Sequence, residues 1–243
     1  MTMPRFSSAK PWRPVGLASL AFWMVACGGS VAPDSSVAPA AAIAQNPDGW
    51  SAELEAASSA NRPIGPKGYG TLTQDDITVL VQAGNVRIKV VPLSEWAIRA
   101  TAPDTYRRLN GYKVARGQEI LERSSRAGER GWPLVLFVTY FSQAVEETFE
   151  PYDLQIRNRG FLYRPLDILP VTPDFMRERL RQQETQIALY LFSADIDLDL
   201  QTEVAYGGAS SARWDGIRLN LDSELAKATS RAGAHPGEAR DEP

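Results

Sequence analysis

The sequence predicts a mainly β body, a β-sandwich with one helical insertion (α+β overall), preceded by a signal peptide and a disordered tether. Three observations predict this. Seven or eight short strand-type runs, bounded by turn residues, recur between about residues 77 and 221. The hydrophobic period changes to a helical one between about residues 94 and 127. At the N-terminus, three cations precede a short uncharged apolar run, and a stretch rich in Ala, Ser, Pro and Gly follows.

Residues 1–26 carry Arg5, Lys10 and Arg13 and no acid, and Val15 to Ala26 is an uncharged run of 12 residues. A membrane span needs about 20 apolar residues, so the run is too short to cross and reads as a secretory signal. Its exit, Met24-Val25-Ala26-Cys27-Gly28, resembles the lipobox of bacterial lipoproteins, departing from the usual Leu at Met24. The resemblance implies cleavage before Cys27 and attachment of acyl chains to its thiol, a membrane anchor. Cys27 is the single cysteine of the chain. Gly28 stands where inner-membrane retention in similar lipoproteins needs Asp. This implies a cell-envelope location, the outer membrane if there are two. Cleavage removes three cations and leaves 23 basic against 29 acidic side chains, a net charge of −6.

Residues 27–68 then form the lipidated cysteine and a flexible linker, since small residues and Pro dominate with no periodic apolar face. A flexible chain of that length spans roughly 35 Å root-mean-square. The expected globular domain covers residues 69–227, and residues 228–243 form a loose tail.

Within the domain, Ile77–Gln82 and Val86–Val91 predict a hairpin around Ala83-Gly84-Asn85, the second run alternating Val86/Ile88/Val90 against Arg87/Lys89. Asp104, following Pro103, is expected to cap a helix carrying Tyr106, Leu109 and Tyr112, with Gly111 and Gly117 breaking the segment in two. Trp132 to Phe141 is apolar nearly throughout, as a strand covered on both faces is. Asp153–Arg157 and Phe161–Ile168 flank the turn Asn158-Arg159-Gly160; Thr172-Pro173-Asp174 opens a short helix; Thr185–Phe192 and Asp195–Tyr206 are two more strands. Residues 211–227 fit either a strand or a helix.

From Phe137 onward the order of a long strand, Leu154-Gln-Ile-Arg-Asn158, an aromatic strand, a turn and a strand ending Tyr190-Leu-Phe192 resembles immunoglobulin-like domains of uncharacterised bacterial lipoproteins. The resemblance covers about the last hundred residues and implies a fold and a location. It implies no activity.

Composition excludes several function classes. The single histidine, His235, and Cys27 both lie outside the expected body, which therefore has no disulfide, Cys/His zinc site, cysteine nucleophile or Ser-His-Asp triad. No cofactor is expected. Asp195, Asp197 and Asp199 alternate with Ile196, Leu198 and Leu200. They are weak candidates for a shared hard cation, lacking the Gly and bidentate Glu of a calcium loop. Period two instead places them on the solvent side of a strand, so no metal is expected. Arg157 to Arg164 interleaves basic and aromatic residues, but a net acidic chain argues against nucleic acid. Glu146, Glu147, Glu150 and Asp153 surround Phe149 and Tyr152, and a carboxylate pair there would suit an envelope hydrolase acting on glycans. The functional expectation is a membrane-anchored, non-enzymatic binding or structural module. Its partners are the membrane, through the lipid, and an envelope protein of unidentified kind; the carboxylate hydrolase is the alternative.

Overall fold

The computed structural model describes residues 64–234. Cys27 and the expected signal and linker up to residue 63, together with His235, lie outside them. Antiparallel sheets frame the body, and helix and strand content are roughly equal. Eleven strands are present among the described residues: β1 (Val79–Ala83), β2 (Val86–Pro92), β3 (Leu134–Ser142), β4 (Glu146–Thr148), β5 (Gln155–Asn158), β6 (Phe161–Tyr163), β7 (Asp167–Pro170), β8 (Arg179–Arg181), β9 (Thr185–Phe192), β10 (Thr202–Tyr206) and β11 (Ala209–Ser211). Four α-helices join them: α1 (Glu95–Arg99), α2 (Pro103–Ala115), α3 (Gly117–Arg126) and α4 (Trp214–Ala234).

The main sheet has the order β1-β2-β3-β9-β7, a second has β11-β10-β5-β6, and β4 pairs with β8. Register assigns the faces. Val81, Ile88 and Tyr140 stand opposite one another across β1, β2 and β3, and so do Gln82, Arg87 and Phe141 one residue along. Directly opposed residues share a face and neighbours in sequence alternate. The first row is buried and the second is largely open to solvent. The buried face meets the second sheet, with Val79, Val90 and Leu136 on one side of the interior and Ile156 and Val204 on the other.

Helices α1, α2 and α3 occupy the connection from β2 to β3 and cover part of the main sheet's other face. The Tyr112 ring lies 5.0 Å from that of Phe137. At the far side Arg123 of α3 pairs with Asp167 of β7 at 3.1 Å, and Arg116 donates to the Pro170 carbonyl. The predicted helical segment thus holds three helices, with a break just before Gly117. Asp104 does not cap α2: Pro103, whose fixed φ suits the first helical position, is residue one, so Asp104 falls in the first turn.

Three further expectations are corrected. Phe161–Ile168 is not one strand. It divides at Arg164-Pro165 into β6 and β7 of different sheets, since Pro cannot donate to a ladder. Asp195–Tyr206 is a strand only from Thr202; residues 195–200 form successive turns. Thr172-Pro173-Asp174 leads into a single 3₁₀ turn, Phe175–Arg177, because the Thr172 hydroxyl is tied to β9, accepting from the Ile187 N–H at 3.0 Å. Of residues 211–227, which fitted either a strand or a helix, Ser211 ends β11 and the helix α4 begins at Trp214, running to Ala234, past the boundary expected at Lys227. Its apolar face continues through Leu221, Leu225 and Ala228, all buried, and so does not stop there.

The start of the described chain lies against this helix. Gly65 is buried against Leu225, and Glu224 accepts from both the Thr71 N–H and hydroxyl at 3.0 and 2.7 Å. Arg231 donates to the Tyr69 carbonyl and to Glu224. Leu72 and Thr101 form a parallel bridge, and Gly70 passes so close to the Ala100 carbonyl that no side chain fits between them.

Candidate functional site

Three places carry the polar and aromatic groups from which a site could be built. The most buried is a charged knot between α1 and α2. Glu95 and Arg99 are four apart on α1, so they share a helix face, and the Arg99 Nε donates to Glu95 Oε1 at 2.6 Å. Lys113, from the end of α2, donates to Glu95 Oε2 at 2.8 Å, and the Tyr106 hydroxyl donates to Oε1 at 2.8 Å. Lys113 is 0% exposed and Glu95 3%. Burial pushes the Glu95 carboxyl upward, but the ammonium of Lys113 and the guanidinium of Arg99 outweigh it and hold the carboxyl at about 2. Burial, then the Glu95 carboxylate, raises the Tyr106 hydroxyl. Arg99 also donates to the Gly65 carbonyl at 2.9 Å. Every oxygen of this carboxylate is occupied, so the knot fixes helix geometry and exposes no group for proton transfer.

The second place is the segment Glu146–Asp153. Phe149 stacks on Tyr140 with centroids 4.5 Å apart, Phe175 lies 5.3 Å from Phe149, and Tyr190 and Tyr206 complete the aromatic cluster. The Tyr140 and Tyr190 hydroxyls are 2.8 Å apart; the Tyr190 hydroxyl donates to the Pro151 carbonyl at 3.1 Å, and that of Tyr206 accepts from the Glu150 N–H at 2.8 Å. Burial raises the hydroxyls of Tyr140, Tyr190 and Tyr206. The aromatics therefore clamp the segment's backbone to the core, and Glu150 and Asp153 both lie close enough to the Tyr206 hydroxyl to help raise it. Glu146 and Glu147 are neighbours on β4 and so point to opposite faces. Glu146 meets Arg179 at 3.4 Å, Glu147 accepts from Asn85 at 3.1 Å, and Glu150 and Asp153 are exposed.

The third is the end of the β5–β6 hairpin. Arg159 and Gly160 form its two-residue loop with φ of 53° and 80°, as a hairpin turn of this twist requires. Asn158 is 1% exposed, and its side chain folds residues 197–202 around itself. Its amide nitrogen donates to the Asp197 carbonyl at 2.9 Å and to the Thr202 hydroxyl at 2.8 Å, while its oxygen accepts from the Asp197 N–H at 3.1 Å. Asp197 is thus an ion-pair partner for Arg159 at 2.7 Å and accepts from the Asp199 N–H at 2.9 Å. Asp195 and Asp199 are exposed. Among the described residues no group of three or more His, Cys, Asp and Glu is placed to hold a metal ion. Arg157 pairs with Glu203 at 2.8 Å, which removes much of the basic character of the Arg157–Arg164 stretch. Its apolar members stand out: Phe161 is 66% and Leu162 52% exposed on β6, an edge strand of the second sheet.

Sequence reasoning placed Asn158 in a turn and missed its role as a hub. It also missed the Glu95–Lys113 pair, of which only the four-residue spacing of Glu95 and Arg99 gave a sign. Among the described residues no helix is long and apolar enough to cross a membrane. No protein-family model, no curated protein and no solved structure matches this chain.

Proposed function

We propose that this protein is a lipid-anchored envelope lipoprotein whose body acts as a non-enzymatic binding or structural module, with an immunoglobulin-like sandwich as its frame. The observation that carries the anchor is the sequence Met24-Val25-Ala26-Cys27-Gly28, the chain's single cysteine directly behind a short basic-then-apolar run. Two or more acyl chains, at about 0.8 kcal/mol per buried CH₂, hold such a body at a membrane surface. Gly28, rather than Asp, favours the outer membrane where there are two. Two facing antiparallel sheets support the sandwich reading. The exposed Phe161 and Leu162 support the binding role, because large apolar side chains exposed on an edge strand, unpaired among the described residues, are what a protein partner covers.

The test has two arms. Cys27→Ser should abolish incorporation of labelled fatty acid and release the protein from the membrane fraction, while its melting temperature stays unchanged. A photo-crosslinker at Phe161 should capture a discrete envelope protein. Wild-type protein that takes up no fatty acid, or a Ser variant that still sediments with membranes, refutes the anchor.

A further inference from the structure

Among the described residues, one end of the main sheet's helix-bearing face is left uncovered. Cross-strand register puts Gln82, Arg87 and Phe141 in one row there. With Gly84, Asn85 and Gln143 they line an open cavity of about 130 Å³ at the β1–β2 turn. We infer that this cavity binds a single saccharide ring.

The lining is the reason. Gln82, Asn85 and Gln143 bring three primary amides, each with donors and an acceptor, and Arg87 brings a planar fork of donors. Vicinal hydroxyls of a sugar, each both donor and acceptor, match such planar groups two at a time. Phe141 is half-buried, and its ring gives the apolar C–H face of a sugar something to lie against. The polar groups are partly pre-set. The Arg87 Nε donates to Gln82 Oε1 at 3.3 Å, and the Gln82 amide donates to the Gly84 carbonyl at 2.8 Å. The terminal guanidinium nitrogens of Arg87 have no partner among the described residues. The Asn85 amide nitrogen is spent on Glu147 at 3.1 Å, which leaves its oxygen to accept.

Other ligand classes fit less well. A phosphate group would want a second cation, and the nearest lysine of this face, Lys89, is paired with Asp75 at 2.8 Å. A drug-sized apolar ligand needs roughly 300–1,000 Å³ and a mainly apolar lining. The volume here suits one ring, bound at about millimolar strength because the site is shallow.

This inference gives the binding module proposed above a ligand class and rests on that reading. The test uses the full chain and saturation-transfer NMR with glucose, N-acetylglucosamine and glucuronate, and inorganic phosphate as a competitor. At least one sugar should receive saturation from the protein in a concentration-dependent, saturable way that phosphate does not suppress. Arg87→Ala and Gln143→Ala, both at exposed positions, should each weaken it about fivefold or more at unchanged melting temperature, and Phe141→Leu should do the same. No transfer to any of the three sugars overturns the inference. So does transfer that persists in all three variants, or that phosphate abolishes. Crosslinking through Phe161 is unaffected by those outcomes, so failure here is distinguishable from failure of the module reading.

Discussion

Replacing Lys113 with Met tests the energetic reading of the α1–α2 knot. The substitution keeps the length and most of the volume of the side chain and removes the charge. It leaves the Glu95 carboxylate, 3% exposed, with Arg99 and Tyr106 among its remaining partners. Removing one member of a buried pair costs about 3–5 kcal/mol, and the surviving Arg99 contact argues for the lower end, about 3 kcal/mol. The titration of Glu95 gives a figure of the same order. A carboxyl held at about 2 rather than its ordinary 4.5 corresponds to about 3 kcal/mol of preference for the charged, folded form. For a body of this size the melting temperature should fall by roughly 6–12 °C at neutral pH. The sign of the pH dependence follows. Because folding depresses this pKa, the stabilisation is complete above pH 4.5 and is lost as pH falls from there toward 2. The wild type should therefore lose stability across that window, and Lys113→Met should lose much less. Thermal melts by circular dichroism between pH 7 and pH 2.5 measure both quantities. A variant that melts within about 1 °C of wild type at pH 7, or that keeps the wild-type acid profile, refutes the argument.

Asn158→Ala should cost about 2 kcal/mol, because it strands the Asp197 N–H and takes one of two partners from the Asp197 carbonyl and from the Thr202 hydroxyl; urea unfolding measures it, and a change under about 0.5 kcal/mol contradicts the hub role. Gly70→Ala should cost about 2–3 kcal/mol through overlap with the Ala100 carbonyl. Hydrogen exchange at Leu72, whose N–H donates to the Ala100 carbonyl at 3.1 Å, should quicken in parallel; unchanged protection would count against the close approach.

The strands that were legible in the sequence are those whose burial follows local alternation. Val86/Ile88/Val90 and the apolar run from Trp132 mark β2 and β3 because those residues face a core whichever partner they have. The helical insertion was legible because the period changes there. What failed was set by contacts distant in sequence. Asp195/Ile196/Asp197/Leu198 alternates as a strand does, yet the Asn158 side chain, 39 residues earlier, gathers the Asp197 backbone into a turn. Trp214 sits in an interval that suited strand or helix; its indole N–H donates to the Leu198 carbonyl at 2.7 Å, fixing where α4 begins. Lys113 reads as a solvated helix residue until Glu95 is known to lie beneath it. The carboxylates of Glu146 to Asp153 were visible as a cluster, but only the structure shows two of them engaged, Glu146 by Arg179 and Glu147 by Asn85.

The grip of α4 on the start of the body has a consequence for the order in which the chain matures. Thr71 is held by a carboxylate 153 residues downstream, and Tyr69 by an arginine further on still. Ribosomes make the first of these partners long before the last. Residues 64–72 must therefore wait, without their Glu224 and Arg231 contacts, until the chain through Arg231 has emerged, and such a distant closure is among the slower steps of folding. A nascent chain halted anywhere before Glu224 holds that first segment only through its contacts with Arg99 to Ala102, whatever the sheets have achieved by then.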